Sequence, residues 1–423
     1  MGPQPGASMD QQTVIHDWNV KGHAVSPAMR PVELHDETLR DGIQSPSVHD
    51  PGIEEKIRIL RLLDSVGIDN SNVGLPGAGP RAVADVETLV KVVRDEKLSI
   101  RVGCAARTHA DDIRPIIEIS ERVGVPIEVM TFLGSSPIRM YAEGWDEDRL
   151  EQLTRDAVRM GVRAGLPVSF VTEDTVRSHP RTLGRLFRAA AEEGATRLVL
   201  CDTVGHATTN GVFNLVHFAD DLLIGMGLRP HVKLDWHGHN DRAHALSNAL
   251  YAIEAGIDRV HGTILGIGER VGNTSLDQML VNLKLLGVIE RDLDALAELV
   301  GLVSEACHWP IPWNYPVFGR DAFRTATGVH AAAVIKAIKK GDQHLSDRVY
   351  SGVPAAWFGR SQEILIGFMS GESNVRYWLH NRGIPVHDDL VEAIFEVAKQ
   401  KSELLTEEEI MAIVARFGPG PAE

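Results

Sequence analysis

Leu234-Asp235-Trp236-His237-Gly238-His239-Asn240-Asp241 decides how the chain is read. The run from Val232 to His237 has the length and composition of a buried strand, and side chains two apart on a strand point the same way. His237 and His239 then leave the strand end toward a common point, which is how two imidazoles reach one metal ion. Taken alone, His-x-His is better read as two hydrogen-bonded histidines in a loop. The flanking sequence decides between the two.

Short apolar segments alternate with amphipathic ones from Pro31 onward. Strands are predicted at 31–36, 68–75, 98–104, 126–132, 167–172, 196–202, 232–237 and 258–263. Helical patterns follow them at 52–66, 82–95, 110–123, 147–164, 181–193, 210–226, 242–255 and 276–286. Eight strand-then-helix units in succession predict an α/β protein built on a (β/α)8 TIM barrel, placed at residues 31–299. A doubly wound open sheet competes, but the chain carries no glycine-rich phosphate loop of either usual pattern. After Leu299, Pro310, Pro312 and Pro316 break the periodicity, with Trp309 and Trp313 among them. Helical patterns resume at 328–339, 373–382, 387–399 and 406–417, so residues 300–423 are read as a connector and a smaller, mainly helical C-terminal unit. Residues 1–30 are read as a flexible N-terminal tail.

Composition narrows the function. With 43% hydrophobic and 24% charged residues, the chain can build a large core. Its 43 basic and 58 acidic residues leave a formal charge of −15, which repels phosphate backbones and argues against a nucleic-acid partner. No apolar run reaches the length of a membrane span. Cys104, Cys201 and Cys307 show no paired spacing, and the N-terminus lacks a secretory pattern, so a cytoplasmic location is expected.

Barrel chemistry sits at the C-terminal strand ends. The unusual polar residues fall there: Arg40, Asp41 and Gln44 after the first strand, Arg107 after the third, and Ser135 after the fourth. Glu173 follows the fifth, Thr203 the sixth, His237 and His239 end the seventh, and Glu269 and Asn273 follow the eighth. Asp41, His237 and His239 offer one hard oxygen and two nitrogens, and Asn273 adds a carbonyl oxygen. That mixture suits Mg²⁺, Mn²⁺, Zn²⁺, Co²⁺ or Fe²⁺ with positions open to substrate. Two histidines and a carboxylate also fit a non-haem iron oxygenase, although such enzymes are usually built on antiparallel sheets. Arg40 can fork onto a developing oxyanion or form a salt bridge with Asp36 or Glu37.

Asp36-Glu-Thr-Leu-Arg-Asp-Gly-Ile-Gln44 resembles the opening of the metal-dependent Claisen-condensing barrels. That family holds the isopropylmalate, citramalate and homocitrate synthases, with hydroxymethylglutaryl-CoA lyase as a relative. Leu200-Cys-Asp-Thr-Val-Gly205, His237-Gly-His-Asn-Asp241 and Gly266-Ile-Gly-Glu-Arg-Val-Gly-Asn273 match further family blocks in order. Thr327-Gly-Val-His330 and the zone from Tyr350 to Gly359 extend the likeness into the second unit. The resemblance implies that Asp41, His237 and His239 are metal ligands, with Asn273 as a fourth or supporting group, and that the metal is Mg²⁺ or Mn²⁺ before Zn²⁺ or Co²⁺. It implies that Arg40 stabilises the enolate or 2-oxo acid, that Glu173 is the catalytic glutamate, and that His330 and Tyr350 complete the site of the partner in a domain-swapped homodimer. Gln44, Arg107, Ser135, Thr203 and Glu269 are read as substrate contacts. The implied reaction joins acetyl-CoA, or another acyl-CoA, to a 2-oxo acid, giving a 2-hydroxy dicarboxylic acid and free CoA.

The chain departs from the leucine-pathway pattern at Ser71-Asn72-Val-Gly-Leu-Pro76, where Asn72 replaces a carboxylate, and at Met130-Thr-Phe-Leu-Gly-Ser-Ser136, which lacks a histidine. Those strand ends line the expected 2-oxo acid pocket, so side-chain preference is left open. Arg107 or Arg139 is read as meeting either a second acidic group or CoA phosphates. With the chain ending at Glu423, feedback through a leucine-type regulatory domain is not expected. The rivals are a 3-hydroxyacyl-CoA lyase, disfavoured because Gly266–Gly272 holds no cysteine, and a non-catalytic barrel, disfavoured by the full set of polar groups.

Overall fold

The structure is a computed structural model that describes residues 31–417. The tail expected at residues 1–30 lies outside the described residues. Eight parallel strands close into a barrel in sequence order: β1 (Glu33–Asp36), β2 (Asn70–Asn72), β3 (Arg101–Arg107), β4 (Glu128–Gly134), β5 (Val168–Glu173), β6 (Arg197–Asp202), β7 (Lys233–Gly238) and β8 (Arg259–Gly262). β8 pairs back onto β1, with Glu33 opposite Arg259 and His35 opposite His261. The outer helices are α1 (Ile53–Ser65), α2 (Pro80–Glu96), α3 (Ala110–Val123), α4 (Pro137–Glu143), α5 (Glu147–Arg163), α6 (Pro180–Glu192), α7 (Thr209–Gly225), α8 (Ala245–Ala255) and α9 (Leu276–Leu285). The TIM barrel expected from the alternating pattern is therefore present. The sequence reading had no counterpart for α4, although its signals are there. Ser136 caps its N-terminus, Pro137 opens its first turn, and Gly144 closes it in the left-handed conformation. Seven residues are too few to show a helical period.

Helix α10 (Leu296–Ala306) runs across the expected boundary at 299, and the compact barrel unit comprises residues up to 292 and 298–309. The second unit, 293–297 with residues from 310 on, holds α11 (Gly328–Lys339), α12 (Gln343–Arg348), α13 (Glu372–Asn381), α14 (Asp388–Gln400) and α15 (Glu407–Phe417). A two-stranded parallel pair, β9 (Arg324–Thr325) and β10 (Glu363–Ile364), joins them. Trp378, Leu379, Leu390, Ile394 and Ile410 are among the residues that form its core. Among the described residues, no helix is long and apolar enough to cross a membrane.

Bulky branched residues usually fill a barrel interior. Here the lower interior is ionic. The fully buried Arg259 guanidinium takes both oxygens of Glu128, at 2.8 and 2.6 Å, and Asp235 Oδ2 at 2.6 Å. Arg197 donates to the other Asp235 oxygen at 2.8 Å and reaches Glu33 at 2.7 Å. Burial alone would raise Glu128, but Arg259 more than offsets this and brings its pKa to about 2, so the carboxylate stays charged. Each charge in this network is matched, and removing a shared partner strands the others in a low dielectric. Arg259→Met is expected to destabilise the barrel by about 3–5 kcal/mol, read as a lower urea midpoint; an unchanged midpoint would show that the network is not needed.

Candidate active site

The turn after β1 builds one side of the site. Buried Asp36 accepts hydrogen bonds from the Thr38 N–H at 3.1 Å and the Thr38 hydroxyl at 2.5 Å. Thr38 Oγ1 accepts the Ile264 N–H at 2.9 Å and so ties the turn to the chain after β8. Arg40 and Asp41 follow on this fixed turn. From β7, Asp235 and His237 point inward and His239 continues the same parity. The result is one cluster: His237 Nε2 lies 3.3 Å from His239 Nε2 and 3.3 Å from Asp41 Oδ2, and His239 Nε2 lies 3.7 Å from that oxygen.

All three are buried. Burial pushes Asp41 up, but Arg40, with Nη1 3.4 Å away, and the two imidazoles reverse this and hold it below the usual carboxylate range. Burial and then His237 lower His239 to about 4, so it is neutral at pH 7. A carboxylate and two imidazoles thus aim electron pairs at one small volume. Asn273 stands beside them because the loop after β8 bonds back to the end of β7, pairing His239 with Asn273. Gly268 and Gly272 both have positive φ, and a Cβ at either would collide with Asn273 or the Gly266 carbonyl. Asn273 Oδ1 and His239 Nδ1 are buried without a hydrogen-bond partner among the described residues. An orphaned amide oxygen beside one carboxylate and two nitrogens is the donor set a divalent cation completes.

A cavity of about 260 Å³ opens over the cluster, lined by residues that include Arg40, Asp41, Gln44, Glu173, Thr203, His237, His239 and Glu269. The structure therefore brings these eight sequence-predicted residues together. Arg107 and Ser135 do not line it. The Arg107 guanidinium is engaged by both oxygens of Asp112, at 2.7 and 2.8 Å. The buried Ser135 hydroxyl donates to the Glu173 carbonyl at 3.1 Å and lies 2.7 Å from the Ser178 hydroxyl. His330 and Tyr350, in the second unit, stack on each other with ring centroids 4.3 Å apart. Glu173 pairs with Arg139, Oε1 to Nε at 3.1 Å; burial raises its pKa, Arg139 lowers it, and Asp174, Glu143 and Glu269 raise it further.

The sequence reading missed a support. Arg40 does form the salt bridge with Glu37 weighed as its alternative role, Nε and Nη2 meeting Glu37 Oε2 at 2.9 and 2.6 Å. Yet it still faces the cavity. The other Glu37 oxygen lies 3.1 Å from His35 Nε2 and 3.5 Å from His261 Nδ1. His35, Glu37 and His261 form a second buried cluster, but Arg40 already occupies Glu37, so the cluster acts as a buttress. Position parity was the available signal, since His35 and Glu37, like Arg259 and His261, are two apart at strand ends.

The family comparison agrees with this geometry. The HMGL-like family profile matches residues 31–303. The chain belongs to the HMGL-like family. This HMGL-like chain is 31% identical over 379 residues to the homocitrate synthase of Methanothermobacter thermautotrophicus, covering 88% of this chain and 90% of that protein. It is 28% identical to the 2-isopropylmalate synthase of Shouchella clausii, covering 92% of this chain and 74% of that one. The barrel also superposes on the HMG-CoA lyase of Bacillus subtilis with a TM-score of 0.54 at 20% identity, covering 66% of this chain and 95% of that one. An HMG-CoA lyase from Acinetobacter baumannii in complex with coenzyme A and 3-methylmalate gives the same TM-score at 19% identity, covering 66% and 98%.

Two outcomes follow for the site. His237→Ala is expected to lose at least about 10-fold in Mn²⁺ affinity by equilibrium dialysis while keeping the far-UV spectrum; retained affinity would refute the ligand assignment. Glu37→Gln is expected to keep metal binding but lower kcat by about 10-fold or more, because Arg40 loses its anionic partner; an unchanged kcat would make the contact purely structural.

Proposed function

We propose that the protein catalyses a Claisen condensation of acetyl-CoA, or another acyl-CoA, with a 2-oxo acid, giving a 2-hydroxy dicarboxylic acid and free CoA. The convergence of Asp41, His237 and His239 under a cavity that also presents Arg40 carries this reading. Asp41, His237 and His239, with Asn273, would hold a divalent cation, Mg²⁺ or Mn²⁺ before Zn²⁺ or Co²⁺, whose chemistry is Lewis-acid polarisation of a carbonyl. Arg40 orients the substrate oxygens and stabilises the charge that develops there. Glu37 keeps the Arg40 guanidinium aligned.

His330 and Tyr350 are assigned to the cavity of the other subunit in a domain-swapped homodimer. There His330, oriented by Glu173, takes a proton from the acyl methyl group. The resulting carbanion forms a C–C bond with the ketone carbon of the 2-oxo acid as the C=O π bond opens to an alkoxide, which takes up the proton that His330 removed. Water then cleaves the C–S bond, releasing the CoA thiol and a second carboxylate. Gln44, Thr203 and Glu269 line the substrate cavity. A lyase reading is less well supported: Gly266–Gly272 contains no thiol, and burial raises Cys201, which lines the cavity, well above its ordinary range.

The test is thiol release from acetyl-CoA, followed with a disulfide reagent in the presence of Mg²⁺ or Mn²⁺. Release is expected to require both a 2-oxo acid and the metal, and to fall by at least about 100-fold in Arg40→Ala. Release without a 2-oxo acid, or none under any condition, would overturn the proposal.

A further inference from the structure

The cavity has two unlike sides. The β7, β8 and β1 side carries most of the ionic groups, with Glu173 at the end of β5 the exception. The opposite side is apolar: Ala105 on β3, Met130 and Phe132 on β4, Val171 on β5 and Val199 on β6. The strand register makes these one patch. Ala105 pairs with Met130, Phe132 with Val171, and Val171 with Val199. Inward residues of neighbouring parallel strands stack in layers, so the patch is continuous across four strands.

The charges around this patch are mostly negative. Arg40 is the one Lys or Arg among the described residues lining the cavity, and Glu37 and Asp41 already hold its guanidinium. Glu173 and Glu269 also line it. Arg139, beside Glu173, is matched twice, by Glu173 at 3.1 Å and by Glu143 at 3.0 Å. A second anionic group on a substrate would be desolvated against Phe132, Met130 and Val171. It would face Glu173 and Glu269 without a free cation, and an unpaired buried charge is strongly disfavoured.

We propose that the Ala105–Met130–Phe132–Val171–Val199 wall receives the side chain of the 2-oxo acid. The substrate is then a monocarboxylic 2-oxo acid with a compact aliphatic chain, not one bearing a second carboxylate or a phosphonate. This rests on the condensation proposed above and sets its substrate class. Arg107 is paired with Asp112, and Arg139 with Glu173 and Glu143, so neither offers this wall an unmatched guanidinium.

The experiment compares kcat/KM for pyruvate, 2-oxobutanoate, 2-oxoisovalerate, 2-oxoglutarate and phosphonopyruvate, scored by CoA release with acetyl-CoA and Mn²⁺. The expected result is a rise of roughly 10-fold or more from pyruvate to the best aliphatic acid, with 2-oxoglutarate and phosphonopyruvate at least about 100-fold below it. Phe132→Ala, which enlarges the wall, is expected to move the preference toward 4-methyl-2-oxopentanoate. A best rate with 2-oxoglutarate or phosphonopyruvate would overturn this inference and leave the condensation standing. So would a rate that falls steadily as the aliphatic chain grows in both proteins. No CoA release with any acid would overturn the condensation and this inference with it.

Discussion

Three electron-pair donors meet within 3.7 Å at the mouth of the barrel: one oxygen of Asp41 and the Nε2 atoms of His237 and His239. His237 and His239 face the Asp41 carboxylate in a buried cluster that a divalent cation would complete, and charged pairs continue below it. Below it, Glu33, Arg197, Asp235, Arg259 and Glu128 alternate in sign along a chain of ion pairs that runs from half-buried Glu33 into the barrel interior. His261 links that chain upward, its Nε2 3.2 Å from Asp235 and its Nδ1 3.5 Å from Glu37. Glu37 in turn grips Arg40. The inward parity that delivers His237 and His239 also delivers this scaffold, so removing a charge low in the barrel is expected to loosen what orients Arg40.

Much of this was legible in the sequence. The βα alternation placed all eight strands, and α3 and α11 begin and end where their periodicity does. The former stops at Gly124, which adopts the left-handed conformation a helix end requires. His237 and His239 were legible because they obey the two-residue strand period at the end of β7, and Asp41 because it follows the end of β1. Ser135 shows what that period could have corrected. Met130 and Phe132 on β4 face the cavity, so a residue three beyond Phe132 falls on the other face, and its hydroxyl is used by the chain. Arg107 has the same parity as Ala105 and still fails to line the cavity, because Asp112 in the first turn of α3 captures its guanidinium. Such competition between one strand end and the next helix is a tertiary fact that spacing does not reveal. The Arg40–Glu37 pair was weighed from the sequence, but the support of Glu37 by His261, far away in sequence, was hidden for a similar reason.

The likeness to homocitrate and isopropylmalate synthases and the geometry of the barrel support the same chemistry from different directions. The cavity adds what the family likeness leaves open. Most of the charge lies on the β7–β8–β1 side, and the facing strands present methyl, thioether and phenyl surface below Glu173. A site divided in this way separates the group being activated from the group being recognised. Variation among related barrels can then alter the second without disturbing the first.

The most direct measurement of the central claim is pulsed electron paramagnetic resonance of the protein loaded with one equivalent of Mn²⁺. The expected result is nitrogen couplings from two histidine imidazoles, reduced to one in His239→Ala, because each ring would reach the ion through its Nε2. A spectrum of hydrated Mn²⁺ without imidazole coupling, or two undiminished couplings in the variant, would contradict it.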